Sequence, residues 1–274
     1  MPIKPFLRWA GSKRQMISRL VPFWLGEHKR YIEPFAGSAC LFFYLEPERA
    51  LLNDLNAELI RTMVAVRDAW EEVAYYLSLL RPCKEIYLWL RKENTSGYSD
   101  PQAAARFIYL NRLCFNGLYR TNLKGEFNVP YAPYKAGAMP NKICLQQCSH
   151  VLASAEIRAA DFEEVLEEAT EGDFVYMDPP FALDEGRGFI EYGVNAEFRL
   201  PFTSDDLDRL TKWLPILDER GASFVLSYAN TKQAATAFAG WHCSTVKAKR
   251  QIAGNHADRR VAEELVVTNI KVAQ

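Results

Sequence analysis

The chain has 274 residues, 49% of them hydrophobic and 24% charged, with a formal net charge of −1. That balance suits an ordinary soluble globular protein with a sizeable core, built as one domain with an insertion or as two, and excludes a low-complexity or strongly charged polypeptide. No run approaches the roughly 18 apolar residues a membrane span needs, and Met1-Pro2-Ile3-Lys4-Pro5 has no apolar signal region, so a cytoplasmic location is expected.

In chain order, Arg30 to Phe35 reads as a short strand running into the small residues Ala36-Gly37-Ser38-Ala39, with a helical stretch from Cys40 to Leu45 behind it. A second strand, Ala50-Leu51-Leu52, ends at Asn53-Asp54 and is followed by Asn56. Strand, small-residue turn, helix, strand and acid form the pattern of a nucleotide-binding βαβ unit, in which the turn lets backbone approach the ligand and a carboxylate takes ribose hydroxyls. From Glu58 to about Arg112 the apolar period becomes helical. Periodicity is then lost, and from Asn111 to Tyr131 polar, basic and aromatic residues interleave around Gly117 and Gly125. Aromatic wedges beside Arg and Asn in such a hairpin suit groove readout and base extrusion, although a hairpin of this composition also serves as a plain lid. After residue 140 strand signals resume, with Ala155 to Ala159 ending at Asp161-Phe162, Phe174 to Asp178, and Ala222 to Tyr228. A capped helix from Ser204 to Leu217 lies between the last two. Ser244 to Ala248 and Glu264 to Asn269 read as edge strands flanking Gly254 to Arg260. Strands alternating with helices predict an α/β fold with a doubly wound parallel sheet, closed by an antiparallel hairpin.

The near-neutral total hides clusters of basic residues at Arg8, Lys13 and Arg14, at Arg112, Arg120 and Lys124, at Lys247, Lys249 and Arg250, and at Arg259 and Arg260. Glu163, Glu164, Glu167, Glu168 and Glu171 gather elsewhere. Any one cluster is most simply a solvated face, but four of them beside motifs point to a positive groove for nucleic acid. Cys40, Cys83, Cys114, Cys144, Cys148 and Cys243 form no Cys-x-x-Cys, and no His pair stands at ligand spacing. Cys144 and Cys148 are four apart, as a helical ligand pair would be, but no second pair completes a site, so reduced thiols and no metal are expected.

The strongest chemical signal is Asp178-Pro179-Pro180-Phe181, directly after the apolar run 173–177. The exocyclic amine of adenine is a poor nucleophile because its lone pair is delocalised into the ring. The Asp178 carboxylate and the Pro179 carbonyl suit one N–H each, which localises the lone pair and aims the nitrogen at an electrophilic methyl. The two prolines fix φ and so the carbonyl direction, and Phe181 suits stacking on the base. The plain reading of the same residues is an aspartate-capped turn after a strand.

Taken together, these residues resemble the Dam family of DNA adenine-N6 methyltransferases over essentially the whole chain. Phe6 to Lys13 resembles the family's opening motif, Glu33 to Ser38 its cofactor loop, Asn53 to Asn56 its ribose-binding acid, Asn111 to Tyr131 its DNA-reading hairpin, Asp173 to Phe181 its catalytic strand and loop, and Arg259-Arg260-Val261 with Glu264-Leu265 its closing hairpin. The resemblance implies the class I (Rossmann-like) methyltransferase sheet from residues 1–56 and 141–274, with residues 57–140 as a small helical target-recognition insertion ending in a β-hairpin. It implies S-adenosylmethionine as cofactor, held by Trp9, Ala10, Gly11, Lys13, Glu33, Pro34, Phe35, Gly37, Ser38, Asp54, Asp161, Phe162 and Asp178. The implied partner is double-stranded DNA, with Arg112, Phe115, Asn116, Leu118, Arg120, Asn122, Lys124, Asn128, Pro130 and Tyr134 on the DNA side. Within that set the residue matching Arg120 contacts a guanine of GATC, those matching Phe115, Asn116 and Leu118 enter the duplex or hold the space left by the flipped adenine, and Pro130 and Tyr134 match further base-contacting positions. Two departures stand out: Ser38 or Ala39 replaces a second loop glycine, and Phe181 replaces the usual tyrosine, which keeps stacking without the hydroxyl.

The expected activity is therefore site-specific adenine-N6 methylation of duplex DNA, GATC being the implied site, by a monomeric cytoplasmic enzyme of bacterial or phage origin, alone or within a restriction-modification pair. Methylation of an RNA base or protein amide is the alternative within the same chemistry, although those enzymes more often carry Asn where Asp178 stands. A non-catalytic DNA-binding relative is the alternative outside it, opposed by the retention of Lys13, Asp54 and Asp178 together.

Overall fold

The structure is a computed structural model that describes residues 2–122, 124–135, 137–181, 202–249 and 261–271. In chain order its elements are α1 (Ile17–Leu20), β1 (Arg30–Glu33), α2 (Cys40–Leu45), β2 (Ala50–Asn53), α3 (Ala57–Ser78), α4 (Lys84–Lys92), α5 (Asp100–Leu113), α6 (Lys142–Leu152), β3 (Ala155–Arg158), α7 (Phe162–Leu166), β4 (Asp173–Met177), α8 (Ser204–Glu219), β5 (Ser223–Ala229), α9 (Lys232–Ala237), β6 (His242–Lys249) and β7 (Val261–Thr268). The strands form one seven-stranded sheet in the order β3-β2-β1-β4-β5-β7-β6. The first five strands in that order are parallel, and β7 inserts antiparallel between β5 and β6. This is the mixed sheet with an antiparallel closing pair that the sequence predicts for a class I methyltransferase.

Every residue of β2 and β4 is buried, as expected of parallel strands covered on both faces. Successive side chains alternate between two cores. Tyr31, Leu52, Phe174, Tyr176 and Val225 enter one, which α2, α3, α4, α5 and α6 complete; Ile32, Leu51, Val175, Met177, Phe224 and Leu226 enter the other, beneath α7, α8 and α9. In α8 the buried positions Leu207, Leu210, Leu214 and Leu217 make one helical stripe. The helical stretch after β2 thus shares the first core with the sheet. Each fully buried Phe or Leu contributes about 1.5–3 kcal/mol of transfer free energy, which holds the strand ends in register.

From β1 the chain turns outward to β2 and β3 on one side, while β4 and β5 lie on the other. Such a reversal leaves a crevice beyond the carboxyl ends of β1 and β4, where ligands bind in open α/β sheets. The loops after Glu33, Asn53 and Met177 all open at that edge.

Three sequence expectations change. The strand read at Glu264 to Asn269 as an edge ends at Thr268 and is paired on both sides, with β5 and with β6. Residues 142–152, given no element by the sequence reading, form a helix, because Asn141 caps it through the Cys144 N–H at 2.9 Å and Leu145, Cys148, Val151 and Leu152 make an apolar stripe. The strand expected to reach Asp161-Phe162 stops at Arg158; Asp161 instead caps α7 in a reciprocal box with Glu164, and Phe162 is the first helical residue. The expected hairpin from Asn111 starts later, since Asn111 to Leu113 end α5, and among the described residues its two arms meet at the isolated bridges Cys114–Tyr131 and Thr121–Phe127, helped by the backbone bonds Phe115 N–H to Pro130 O, Asn122 N–H to Glu126 O and Asn128 N–H to Arg120 O. Leu123, Arg250 and Gly254 to Arg260 lie outside the described residues.

Candidate active site and nucleic-acid interface

At the end of β1 the chain bends through Gly37, whose φ of +50° is in the left-handed region, with a Cβ placed there meeting the Trp9 ring at 2.6 Å. The Gly37 N–H donates to Asp54 Oδ2 at 2.9 Å, and the Asn56 N–H donates to Oδ1 at the same distance. Asp54 is thereby aimed by the loops on either side of it. Burial pushes its carboxyl above the usual range, opposed by those two N–H groups, and no cation pairs with it among the described residues. A carboxylate has about four lone-pair sites, so two remain for hydroxyl donors of a ligand.

Asn53, named in the sequence only as a strand end, ties this edge together. Fully buried, its side chain donates to Pro34 O at 3.0 Å and Ala160 O at 3.1 Å and accepts from Ala160 N at 2.9 Å. It thus clamps the loops after β1, β2 and β3. A polar residue closing the apolar run Ala50-Leu51-Leu52 is the signal that marks it. Ala39, one of the two positions where the resemblance puts a second loop glycine, has φ +50° and is fully buried, a backbone region that favours glycine and costs an L-residue about 1–2 kcal/mol.

One strand away, Asp178 leaves the end of β4. It lies deep in the fold yet keeps 19% of its side chain open, and Lys13 Nζ sits 2.6 Å from its Oδ1. Burial raises the Asp178 carboxyl to about 6, with Lys13 pulling the other way. Lys13, only 5% exposed, also approaches Glu264 Oε2 at 3.5 Å and donates to Gly11 O at 3.3 Å. Its ammonium lies 5.4 Å from the centre of the Phe181 ring, which meets Tyr228 edge-on at 5.4 Å. Pro179 is buried and Pro180 and Phe181 are half-buried, so the turn is held from behind and open at its aromatic end. Glu33 is buried as well and accepts from the Tyr31 hydroxyl at 2.9 Å; burial drives its carboxyl well above the ordinary range, with Asp178 and Asp54 adding to the shift.

The remaining expected cofactor residues divide. Trp9, Ala10, Gly11 and Lys13 lie along one edge of the crevice, with the Ser38 and Ser12 hydroxyls 3.4 Å apart. Trp9 stacks on Phe107 and Tyr119 at 6.5 and 6.2 Å, and Asn111 holds the Arg8 backbone from both sides at 2.9 and 2.6 Å, fixing the opening motif to α5. Phe35 packs on Phe162 at 5.3 Å. Phe162 itself is buried, and Asp161 pairs with Arg209 at 2.7 Å while capping α7, so both have structural duties at this edge.

Of the residues expected at DNA, Tyr134 is 79% exposed, Pro130 and Lys124 are exposed, and Phe115 and Asn116 are half-buried, Asn116 with φ +54°. Arg120 donates through Nε to Asn128 Oδ1 at 2.6 Å, which sets the plane of its guanidinium. Arg112 donates to Ala138 O, and its buried Nε has no partner among the described residues. Asn122 caps the hairpin turn by accepting from Lys124 N and Glu126 N, both at 3.0 Å. Leu118 is only 5% exposed and packs in the first core, away from the surface where the resemblance puts a base-contacting side chain. Among the described residues no group of three or more His, Cys, Asp or Glu is arranged to hold a metal; Cys144 and Cys148 do share one helix, and both face the Lys4 carbonyl at 3.8 and 3.4 Å. No helix among those residues is long and apolar enough to cross a membrane.

Residues 9–252 match the model of a family described as D12 class N6 adenine-specific DNA methyltransferase. The chain is 34% identical to the type II methyltransferase M1.LlaDCHI of Lactococcus lactis subsp. cremoris, covering 97% of this chain and 95% of that one. Identity to the type II methyltransferase M.MjaIII of Methanocaldococcus jannaschii is 36%, over 92% and 93% of the two chains, and to a DNA adenine methylase of Vibrio cholerae it is 32%, over 96% and 95%.

Proposed function

The chain belongs to the D12 class of N6 adenine-specific DNA methyltransferases, and from that membership we propose that it binds S-adenosylmethionine, extrudes adenine from a GATC duplex and methylates its N6. The observation that carries this reading is the Asp178 corner, an acid deep at the switch point of the sheet with a half-buried aromatic ring three residues on.

The residues present fit the cofactor. Asp54, oriented by two backbone N–H groups and lacking a cation among the described residues, suits a ribose diol. The Gly37 turn against Trp9 supplies the close backbone approach, and Glu33, Phe35 and Ser38 line the same loop. Bound there, S-adenosylmethionine supplies a methyl group on a positively charged sulfur. The chain's own residues do the rest. Asp178 accepts one N–H of the adenine amine and the Pro179 carbonyl accepts the other, turning the nitrogen lone pair out of the ring. Phe181 stacks on the base, a contact worth about 1–3 kcal/mol. As the carbon–nitrogen bond forms and the methyl–sulfur bond breaks, its electron pair staying on sulfur, positive charge moves onto N6, and the Asp178 carboxylate stabilises it more than it does the neutral amine. The product then loses its proton to water.

Residues 57–140 are assigned to DNA, with Arg120 reading guanine and Phe115 and Asn116 beside the displaced base. The test is to incubate the purified protein with methyl-labelled S-adenosylmethionine and duplexes with or without one GATC, then identify labelled nucleosides by mass spectrometry. N6-methyladenine from the GATC duplex alone is expected; label on another base, on both duplexes equally, or only on RNA or protein overturns the assignment.

A further inference from the structure

Glu264 lies on β7, opposite Ala229 of β5 and Val246 of β6, and is 7% exposed. Its Oε2 is buried without a hydrogen-bond partner among the described residues, and the nearest cation is Lys13 Nζ at 3.5 Å. A buried acid so placed costs stability unless a charge nearby offsets its desolvation. Lys13 is that charge, yet it is also the cation 2.6 Å from Asp178. The ammonium therefore lies within reach of two carboxylates, Asp178 at the corner assigned to the substrate and Glu264 on β7.

We propose that Glu264 is a positioning residue for methyl transfer, holding the Lys13 ammonium so that the Asp178 corner keeps a net negative charge where the substrate amine becomes positive. The inference rests on the functional reading above. Lys13 and Asp178 alone sum to zero, and a cation bonded to the amine's acceptor weakens that acceptor as charge develops. With Glu264 the cluster sums to −1. Glu264 also gives Lys13 a second anchor, so the ammonium can turn toward it when the amine takes up Asp178 Oδ1, without leaving a buried charge unpaired. In this proposal Glu264 acts through Lys13, the cation its Oε2 approaches at 3.5 Å, and is given no contact with substrate or cofactor.

The groups facing Asp178 are Lys13 from the N-terminal segment, Glu33 from β1, Cys40 from the start of α2, Tyr176 from β4 and Glu264 from β7. Of these, Lys13 lowers the Asp178 carboxyl and Glu264 raises it. Removing the Glu264 charge therefore moves the acid limb of activity to lower pH, both directly and by giving Lys13 wholly to Asp178.

The experiment compares wild type with Glu264→Gln in single-turnover methylation of a GATC duplex from pH 5 to 8, with S-adenosylmethionine affinity and melting temperature measured alongside. The expected result is a rate lower by about 10- to 100-fold, the scale of one charge acting over a few ångströms in a partly buried site, together with an acid limb displaced downward and cofactor affinity changed by less than about threefold. An unchanged rate and limb overturn the inference, as does a rate loss with an unmoved limb, which marks a structural role only. Should Glu264→Gln not fold, Glu264→Asp decides, because a carboxylate drawn back by one methylene is expected to give a smaller loss with the limb moved in the same sense, and a wild-type profile there overturns the inference. Absence of methyl transfer by wild type is a different outcome, which strikes the functional reading and not the role of Glu264.

Discussion

Asp178 concentrates the chemistry proposed for this chain. A carboxylate is useful here only while ionised, and burial has raised this one to about 6 despite Lys13. As pH falls through about 6 the acid takes up a proton and loses its ability to accept the amine N–H, so the single-turnover rate is expected to drop about tenfold per unit below that point. A rate flat down to pH 5 would contradict the role. Arg120 makes the other residue-scale prediction. Its guanidinium, fixed by Asn128 at 2.6 Å, suits the paired acceptors of one guanine, so Arg120→Ala should relax discrimination at one position of the site by about 1–3 kcal/mol. Competition between GATC and single-substituted duplexes measures this; an unchanged preference counts against the assignment. The sequence identifies Asp178, Lys13 and Asp54 from their motifs. It does not reveal the ion pair between the first two, because 165 positions separate them (178 − 13) and only the folded sheet brings the N-terminal segment over β4.

At the scale of elements, the loops after the parallel strands are held by polar links between strands. The Asn53 side chain satisfies three backbone groups, the buried Pro34 O and the part-buried Ala160 O and N–H. Asn53→Ala is expected to cost roughly 2–4 kcal/mol, since each orphaned group carries about 1–3 kcal/mol, and to weaken cofactor binding through the displaced loops. Denaturant midpoints at constant slope check the first part. Gly37→Ala should weaken S-adenosylmethionine binding more severely, because the added methyl meets Trp9 at 2.6 Å in a backbone region L-residues avoid; calorimetric titration showing wild-type affinity would refute that. The βαβ unit was legible because its apolar strands and small-residue turn are local signals. The short extent of the hairpin was not, since α5 continues to Leu113 through packing in the first core, which overrides the loss of periodicity at Asn111. Helix α6 escaped notice for a related reason: at 11 residues it is short, and its buried stripe of Leu145, Cys148, Val151 and Leu152 is interrupted by polar residues that weaken the period.

For the molecule as a whole, the sheet order brings the opening motif, the acid after β2 and the corner after β4 to one edge, and α5 carries the hairpin across the same edge through Trp9, Phe107 and Tyr119. The first core runs without a break from the sheet into α3, α4 and α5, so the loop after β1 and the hairpin are coupled by packing as well as by chain. The alternation of strand and helix made the sheet class readable in advance. The sharing of one core between sheet and helices depends on long-range side-chain complementarity and was not. The central claim, that the Asp178 corner works chiefly in the transition state, is tested most directly by single-turnover methylation of a GATC duplex with wild type and Asp178→Asn, alongside cofactor and duplex affinities for both. The account predicts a rate lower by orders of magnitude with both affinities within about tenfold of wild type; a rate within tenfold, or a loss matched by lost cofactor binding, would contradict it.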